Sequence, residues 1–135
     1  MDCHTFFHTV LGVDSLSRQD LGRLGEHLAA AHFARLGFDV VDQNYRTRWG
    51  EIDLIAFDGG TIVFCEVKTR RTTATGRPLE AVHRAKRAQL RRMAVRWLIE
   101  RDDRPFASEL RFDAVGITLD RQGNLLALEH VENAW

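Results

Sequence analysis

The sequence predicts an α/β domain, a central mixed sheet of about five strands with helices packed against it. Three observations carry that prediction. Apolar residues recur at helical spacing over 17–36 and again from Pro78 to position 98. Two β-branched runs flank Asp58-Gly59-Gly60 in the stretch 50–70, as in a β-hairpin. Further strand-like runs at 38–46, 110–119 and 124–129 complete the order α-β-β-β-α-β-β.

In chain order, residues 1–16 come first and read as a loosely held N-terminal arm. Cys3, His4 and His8 lie there, but no second ligand pair completes a metal site. Ser17 caps the first helix, with Asp20 three residues on, and Gly37 supplies its stop. Leu21, Leu24, Leu28, Ala31 and Leu36 form its apolar side. Glu26 falls inside that apolar arc, beside Gly22 and Ala29, whose small side chains suggest close approach to another element.

The first strand leads through Arg46-Thr47-Arg48-Trp49-Gly50 into the hairpin. Two arginines and an aromatic could hold phosphate and stack a base, or form a salt-bridged loop. Within the hairpin, period-2 alternation sets Glu51, Asp53, Ile55 and Phe57 on one face of the first strand. A loop of two or four residues brings that face together with Ile62, Phe64, Glu66 and Lys68. A three-residue loop would leave Asp53 among apolar neighbours, a costly burial, so the first register is expected. One face is then apolar near the turn and charged at its open end.

Residues 72–77 read as a flexible loop placed to contact substrate, and Pro78 starts the second helix. Ala81, Ala85, Leu90, Met93, Ala94, Trp97 and Leu98 form that helix's buried stripe, and arginines cover the rest. The last two strands are joined by a turn at 120–123. No internal repeat or linker divides residues 17–135, which read as a single domain.

At 135 residues, 44% hydrophobic and 28% charged, the chain can bury a core without staples. No apolar run approaches the roughly 20 residues of a membrane span. Cys65 sits on the apolar face of a strand as a buried free thiol, and two cysteines make no disulfide framework. A cytoplasmic protein with no membrane partner is the expectation. Net charge is zero, yet eleven of the nineteen Lys and Arg fall between positions 68 and 101, against Glu80 and Glu100 alone. Such a basic segment, including Arg84, Arg87 and Arg91, is placed to meet phosphate.

Asp53 and Glu66 from the hairpin and Glu26 from the helix above it have a plausible meeting point. Carboxylates brought together repel unless a hard cation neutralises them, and oxygen-only ligation suits Mg²⁺ or Mn²⁺. The Val67 backbone carbonyl could join as a ligand. Lys68 emerges beside the cation, where an ammonium can orient or help deprotonate an attacking water, or stabilise charge on a phosphorane. Nothing here suits a nucleophilic Ser or Cys, and there is no Gly-rich phosphate loop.

Asp53, then Glu66-Val67-Lys68 on the adjacent strand, resembles the core of the PD-(D/E)xK nuclease superfamily, with Ile52 where its motif has proline. Glu26 takes the place of the further acidic residue that many members carry on the first helix. The chain is more closely similar to the YraN-like family of small bacterial proteins, from Gly22 onwards. The matching stretches are GRLGEHLAA at 22–30, GF at 37–38, NYRTRWGEIDLIA at 44–56, VFCEVKTR at 63–70 and RFDAVGI at 111–117. This resemblance implies a restriction-endonuclease-like α/β core, similar to archaeal Holliday-junction resolvases, which are metal-dependent dimers cutting branched DNA.

Two functional readings follow. In the first, the chain is a Mg²⁺- or Mn²⁺-dependent endonuclease that hydrolyses phosphodiester bonds in DNA, branched or flapped DNA included. Glu26, Asp53 and Glu66 then hold metal, and Lys68 is the catalytic ammonium. Glu51 supports the ligands from outside, and Arg46, Arg48, Arg70 and Arg71 position phosphates. A homodimer is one assembly this admits. In the second, the same fold is a non-catalytic nucleic-acid-binding module that binds through the 84–96 arginines. A purely structural salt-bridge cluster at the sheet end is the bland alternative to both.

Overall fold

A computed structural model describes residues 17–72 and 85–134, with the backbone alone described for 85–87. The expectations for the arm at 1–16, the loop at 73–77, the helix start at Pro78 and the Arg84 contact lie outside the described residues. So does the expectation for the Arg87 side chain.

The first helix, α1 (Arg18–Arg35), starts where Ser17 Oγ accepts the Asp20 backbone N–H at 3.1 Å, satisfying one of the end donors that a helix leaves open. It ends at Leu36, and Gly37 leaves it with φ +93°, a conformation open to glycine without strain. Five strands follow: β1 (Asp39–Thr47), β2 (Gly50–Phe57), β3 (Thr61–Arg71), β4 (Glu109–Leu119) and β5 (Leu125–Val131). The second helix, α2 (Ala85–Glu100), connects β3 to β4. The sheet order is β1-β2-β3-β4-β5, antiparallel except between β3 and β4. That parallel pair is the one joined by a helix, as a parallel connection requires. The fold is thus α/β with a mixed five-stranded sheet flanked by helices, a restriction-endonuclease-like core.

Each face of the sheet has its own apolar layer. Leu21, Leu24, Ala29 and Phe33 of α1 pack on Leu54, Ala56, Val63, Cys65, Val67 and Ile117. Leu90, Met93, Ala94 and Trp97 of α2 pack on Ile52, Ile55, Ile62, Phe64 and Ala114. Asp42 pins α2 to β1, accepting from Trp97 Nε1 at 2.9 Å and pairing with Arg101 at 2.6 Å. Cys65 is fully buried, and burial holds its thiol pKa well above the usual value, so it is inert packing. No helix among the described residues is long and apolar enough to cross a membrane.

The hairpin adopts the register that pairs odd with even positions, with Phe57 opposite Ile62 and Leu54 opposite Cys65. Asp58 Oδ1 accepts the Gly60 and Thr61 N–H groups across the turn, and only Gly59 of the two glycines takes a positive φ. The expected single graded face does not form, however. Ile52 packs toward α2 while Leu54 packs toward α1, although both are even positions. The strand therefore turns over between them. Its neighbour does the same: Gln43 pairs with Leu54 and Tyr45 with Ile52, and Asn44 between them has φ +53°. Asn tolerates that left-handed conformation better than most residues. Glu51 and Asp53 are thereby turned toward α1, away from the layer that holds Ile55 and Phe64.

Candidate metal centre

Beyond Cys65, β3 pairs with β4 but no longer with β2, and the two strands of the hairpin part. The Asp53 carboxylate fills the gap. Its Oδ2 accepts the Val67 backbone N–H at 2.7 Å, replacing the lost ladder bond. A strand residue's carbonyl projects to the same side as its own N–H, so the Val67 carbonyl faces this gap too.

From above, α1 delivers Glu26. Its approach depends on Gly25 rather than on Gly22, which has open space around it. A Cβ on Gly25 would stand 1.7 Å from Thr69 Oγ1, so only glycine lets the helix lie this close to β3. Glu26, Glu51 and Asp53 then each offer a carboxylate oxygen within 4.8 Å of the others, the one such group of three among the described residues.

The centre is electrostatically uncomfortable without a cation. Burial, then repulsion from Glu26, Glu66 and Glu51, pushes Asp53 up to about 7 despite the opposing Val67 hydrogen bond. Burial and the nearby Glu51 raise Glu26 as well, while Asn44, Arg23 and Arg46 pull it back. With its amide oriented to satisfy both groups, Asn44 donates to Glu26 Oε1 at 3.0 Å and to Glu51 Oε1 at 2.6 Å. It organises the carboxylates but adds no charge. Three hard oxygens within 4.8 Å of one another, two of them driven toward protonation, are a donor set that fits Mg²⁺ or Mn²⁺.

Glu66 is buried on β3 and lies outside the group of three. It is still near enough to repel Asp53, and its Oε1 is 3.1 Å from Lys68 Nζ. Glu51, expected as an outside support, instead stands among the converging carboxylates, and its other oxygen is 3.6 Å from Arg46 Nε. Arg48 lies over the Trp49 ring at 4.7 Å. Arg70 and Arg71 are half-buried at the end of β3, and Arg91 is exposed on α2.

Sequence reasoning missed three residues here. Asn44 is one, because its role follows from a positive φ. Arg18 and Arg23 are the others: they line, with Glu26, Asn44, Arg46 and Glu51, a cavity of about 350 Å³ over the carboxylates. For Arg23 the available signal was its spacing, three residues before Glu26 along one helix, since positions three apart share a face.

An α/β protein with a restriction-endonuclease-like sheet and an acidic centre at its parted hairpin is the class that this geometry defines. The chain belongs to the uncharacterised protein family UPF0102, whose family profile matches residues 25–117. It is 44% identical over 120 residues to a UPF0102 protein of Frankia casuarinae, covering 88% of this chain and 98% of that one. It is 45% identical over 115 residues to one of Rhodococcus jostii, with 85% and 95% covered. A Renibacterium salmoninarum relative is 47% identical over 112 residues, with 83% and 92% covered.

Proposed function

We propose that the protein is a Mg²⁺- or Mn²⁺-dependent endonuclease hydrolysing phosphodiester bonds in DNA. The observation that carries this reading is the convergence of Glu26, Glu51 and Asp53 within 4.8 Å at the parting of β2 and β3. Glu26, Glu51 and Asp53 hold the cation, with Glu66 and the Val67 carbonyl as the further ligands available to it. The cation, when bound, supplies Lewis-acid stabilisation of charge on the phosphoryl oxygens.

The remaining work belongs to the chain's own groups. Arg18, Arg23 and Arg46 surround the cavity and can hold the non-bridging oxygens of the scissile phosphate, since arginine forks match phosphate geometry. The Lys68 ammonium would orient the attacking water by donating to it and stabilise the hydroxide that forms, the water's proton passing to solvent. Glu66 holds Lys68 in place through its 3.1 Å ion pair. Asn44 fixes two of the three carboxylates relative to each other before any ligand arrives, the preorganisation that electrostatic catalysis needs.

The test is a cleavage gel with labelled linear, flapped and four-way-junction DNA in Mg²⁺ and in Mn²⁺, run beside Asp53→Asn and Lys68→Met. Cutting that requires the cation and disappears in both variants supports the reading. A mobility shift without cutting of any substrate would overturn it in favour of a binding module of the same fold. Cutting that survives in Asp53→Asn would remove this site from the chemistry.

A further inference from the structure

The described surface carries a second concavity on the α2 side, apolar where the metal centre is polar. Val95 and Ile99 are 55% and 72% exposed there, an unusual amount of aliphatic surface for one helix face. Together with Trp49 they line a groove of about 650 Å³ bordered by Arg91, Arg92 and Arg96. The one carboxylate in it, Glu100, is taken up by Arg96 at 2.8 Å and by the Tyr45 hydroxyl at 2.8 Å. The free character of the groove is therefore cationic and apolar at once.

Shared lining residues link this groove stepwise to the cavity over the carboxylates. The cavity over the carboxylates shares Arg46 with a concavity of about 370 Å³ at the β1–β2 turn, which also contains Thr47, Arg48 and Trp49. That concavity in turn shares Trp49, Arg96 and Glu100 with the α2 groove. A chain of arginines thus runs from the acidic centre, around the β1–β2 turn, to a pocket walled by an aromatic ring and two aliphatic side chains. A nucleic-acid backbone needs cations at successive phosphates, and an unstacked base needs an aromatic or apolar wall. A paired base, buried in its own stack, offers nothing to such a wall.

Resting on the nuclease reading, we propose that the substrate is DNA carrying unpaired nucleotides next to the scissile phosphate. The unpaired strand runs over the β1–β2 turn on Arg46 and Arg48 toward Arg91 and Arg92, and a base lodges between Trp49 and the Val95–Ile99 ridge. The stepwise link between the arginine track and the carboxylate centre favours this occupant over a second copy of the chain, which would have to bring its own counter-charges to Arg91 and Arg92.

The experiment measures fluorescence anisotropy of labelled DNA with the wild-type protein in the absence of divalent cation, so that binding is read without cleavage. The probes are a blunt duplex and the same duplex with a single-stranded overhang. The overhang should bind about tenfold tighter, the scale of one base stacked on an aromatic side chain. Trp49→Ala and Ile99→Glu should each remove that preference, Trp49→Ala while leaving blunt-duplex binding within about twofold, and Trp49→Phe should retain it. Ile99 is a surface residue, so its variant keeps the test valid if Trp49→Ala misfolds. Equal binding of the two probes, or a preference that survives Ile99→Glu, would overturn the proposal. So would a change of mass from dimer to monomer on Ile99→Glu in sedimentation, which would make the groove an interface between copies. The two readings fail separately: Asp53-dependent cutting without overhang preference sinks only the groove, and overhang preference without cutting sinks only the chemistry.

Discussion

At the scale of single residues, Asp53 is the most informative. Its native pKa is pushed up to about 7 from the ordinary aspartate value of 3.8. In the unfolded chain it ionises near the lower value, so between the two the native state binds more protons than the unfolded one. The group's contribution to stability is therefore full below pH 4 and is lost as pH rises through 7. The whole shift corresponds to at most about 4 kcal/mol. In chelator, wild-type thermal stability should show this falling component, and Asp53→Asn should flatten it and melt several degrees higher at pH 8. A lower melting temperature for Asp53→Asn at pH 8 would mean that the carboxylate is held by cations of the protein itself. Added Mn²⁺ should invert the order, stabilising wild type and not the variant, with release of about one proton on binding at pH 6. Strand alternation and the hairpin register predicted Asp53, Glu66 and Lys68 on one face, but β2 turns over beside Asp53 and brings it to Glu26 and Glu51 instead. Asn44 was not legible in the sequence. Its contribution is a backbone conformation, φ +53°, that turns two strands over, and no periodicity encodes such an event.

At the scale of elements, the order and the approximate bounds of every described helix and strand followed from periodicity and from the Gly and Ser punctuation. What periodicity does not give is how closely two elements lie, and α1 illustrates this. The small residues beside Glu26 signalled a close approach, but the contact is made by Gly25 on Thr69 and not by Gly22. Gly25→Ala should therefore cost roughly 1–3 kcal/mol through overpacking, against a gain of up to about 1 kcal/mol in helix propensity. It should also lift Glu26 from the other carboxylates, so Mn²⁺ affinity measured by calorimetry should fall, whereas Gly22→Ala should leave it unchanged. On the opposite side of β3, Asp113 ties β4 to β5 and to the chain beyond. It is fully buried, paired with Arg111 at 2.9 Å, bonded to His130 Nε2 at 2.7 Å and to the Asn133 N–H at 3.1 Å. Burial opposes its charged form, but the bonds from His130, Arg111 and Asn133 outweigh that and hold its pKa below the usual carboxylate range. Asp113→Ala leaves the Arg111 guanidinium half-stranded and should cost on the order of 3–5 kcal/mol in urea unfolding at pH 7. A depressed pKa places its stabilising contribution above the unfolded value, so the difference from wild type should shrink as pH falls below 4.

At the scale of the whole molecule, the chain has no net charge, and a neutral protein gains nothing from long-range attraction to a polyanion. Any affinity for DNA must come from the way its charges are sorted. Acidic groups are gathered at the parted hairpin, where a bound divalent cation would offset most of their charge. Arginines are gathered along the β1–β2 turn and on the exposed side of α2, whose other side is committed to Leu90, Met93, Ala94 and Trp97 in the core. Because this affinity is local, it should be removable locally. Arg91→Ala with Arg92→Ala changes two exposed residues, so folding should be preserved within about 0.5 kcal/mol. If each arginine meets one phosphate, the slope of log affinity against log salt should become shallower by about 2 for duplex DNA. Duplex binding should weaken severalfold at low salt and much less at high salt, because counterion release is the source of the gain. A slope unchanged by the double substitution would take α2 out of the interface and leave the arginines around the carboxylate centre as the sole phosphate contacts among the described residues.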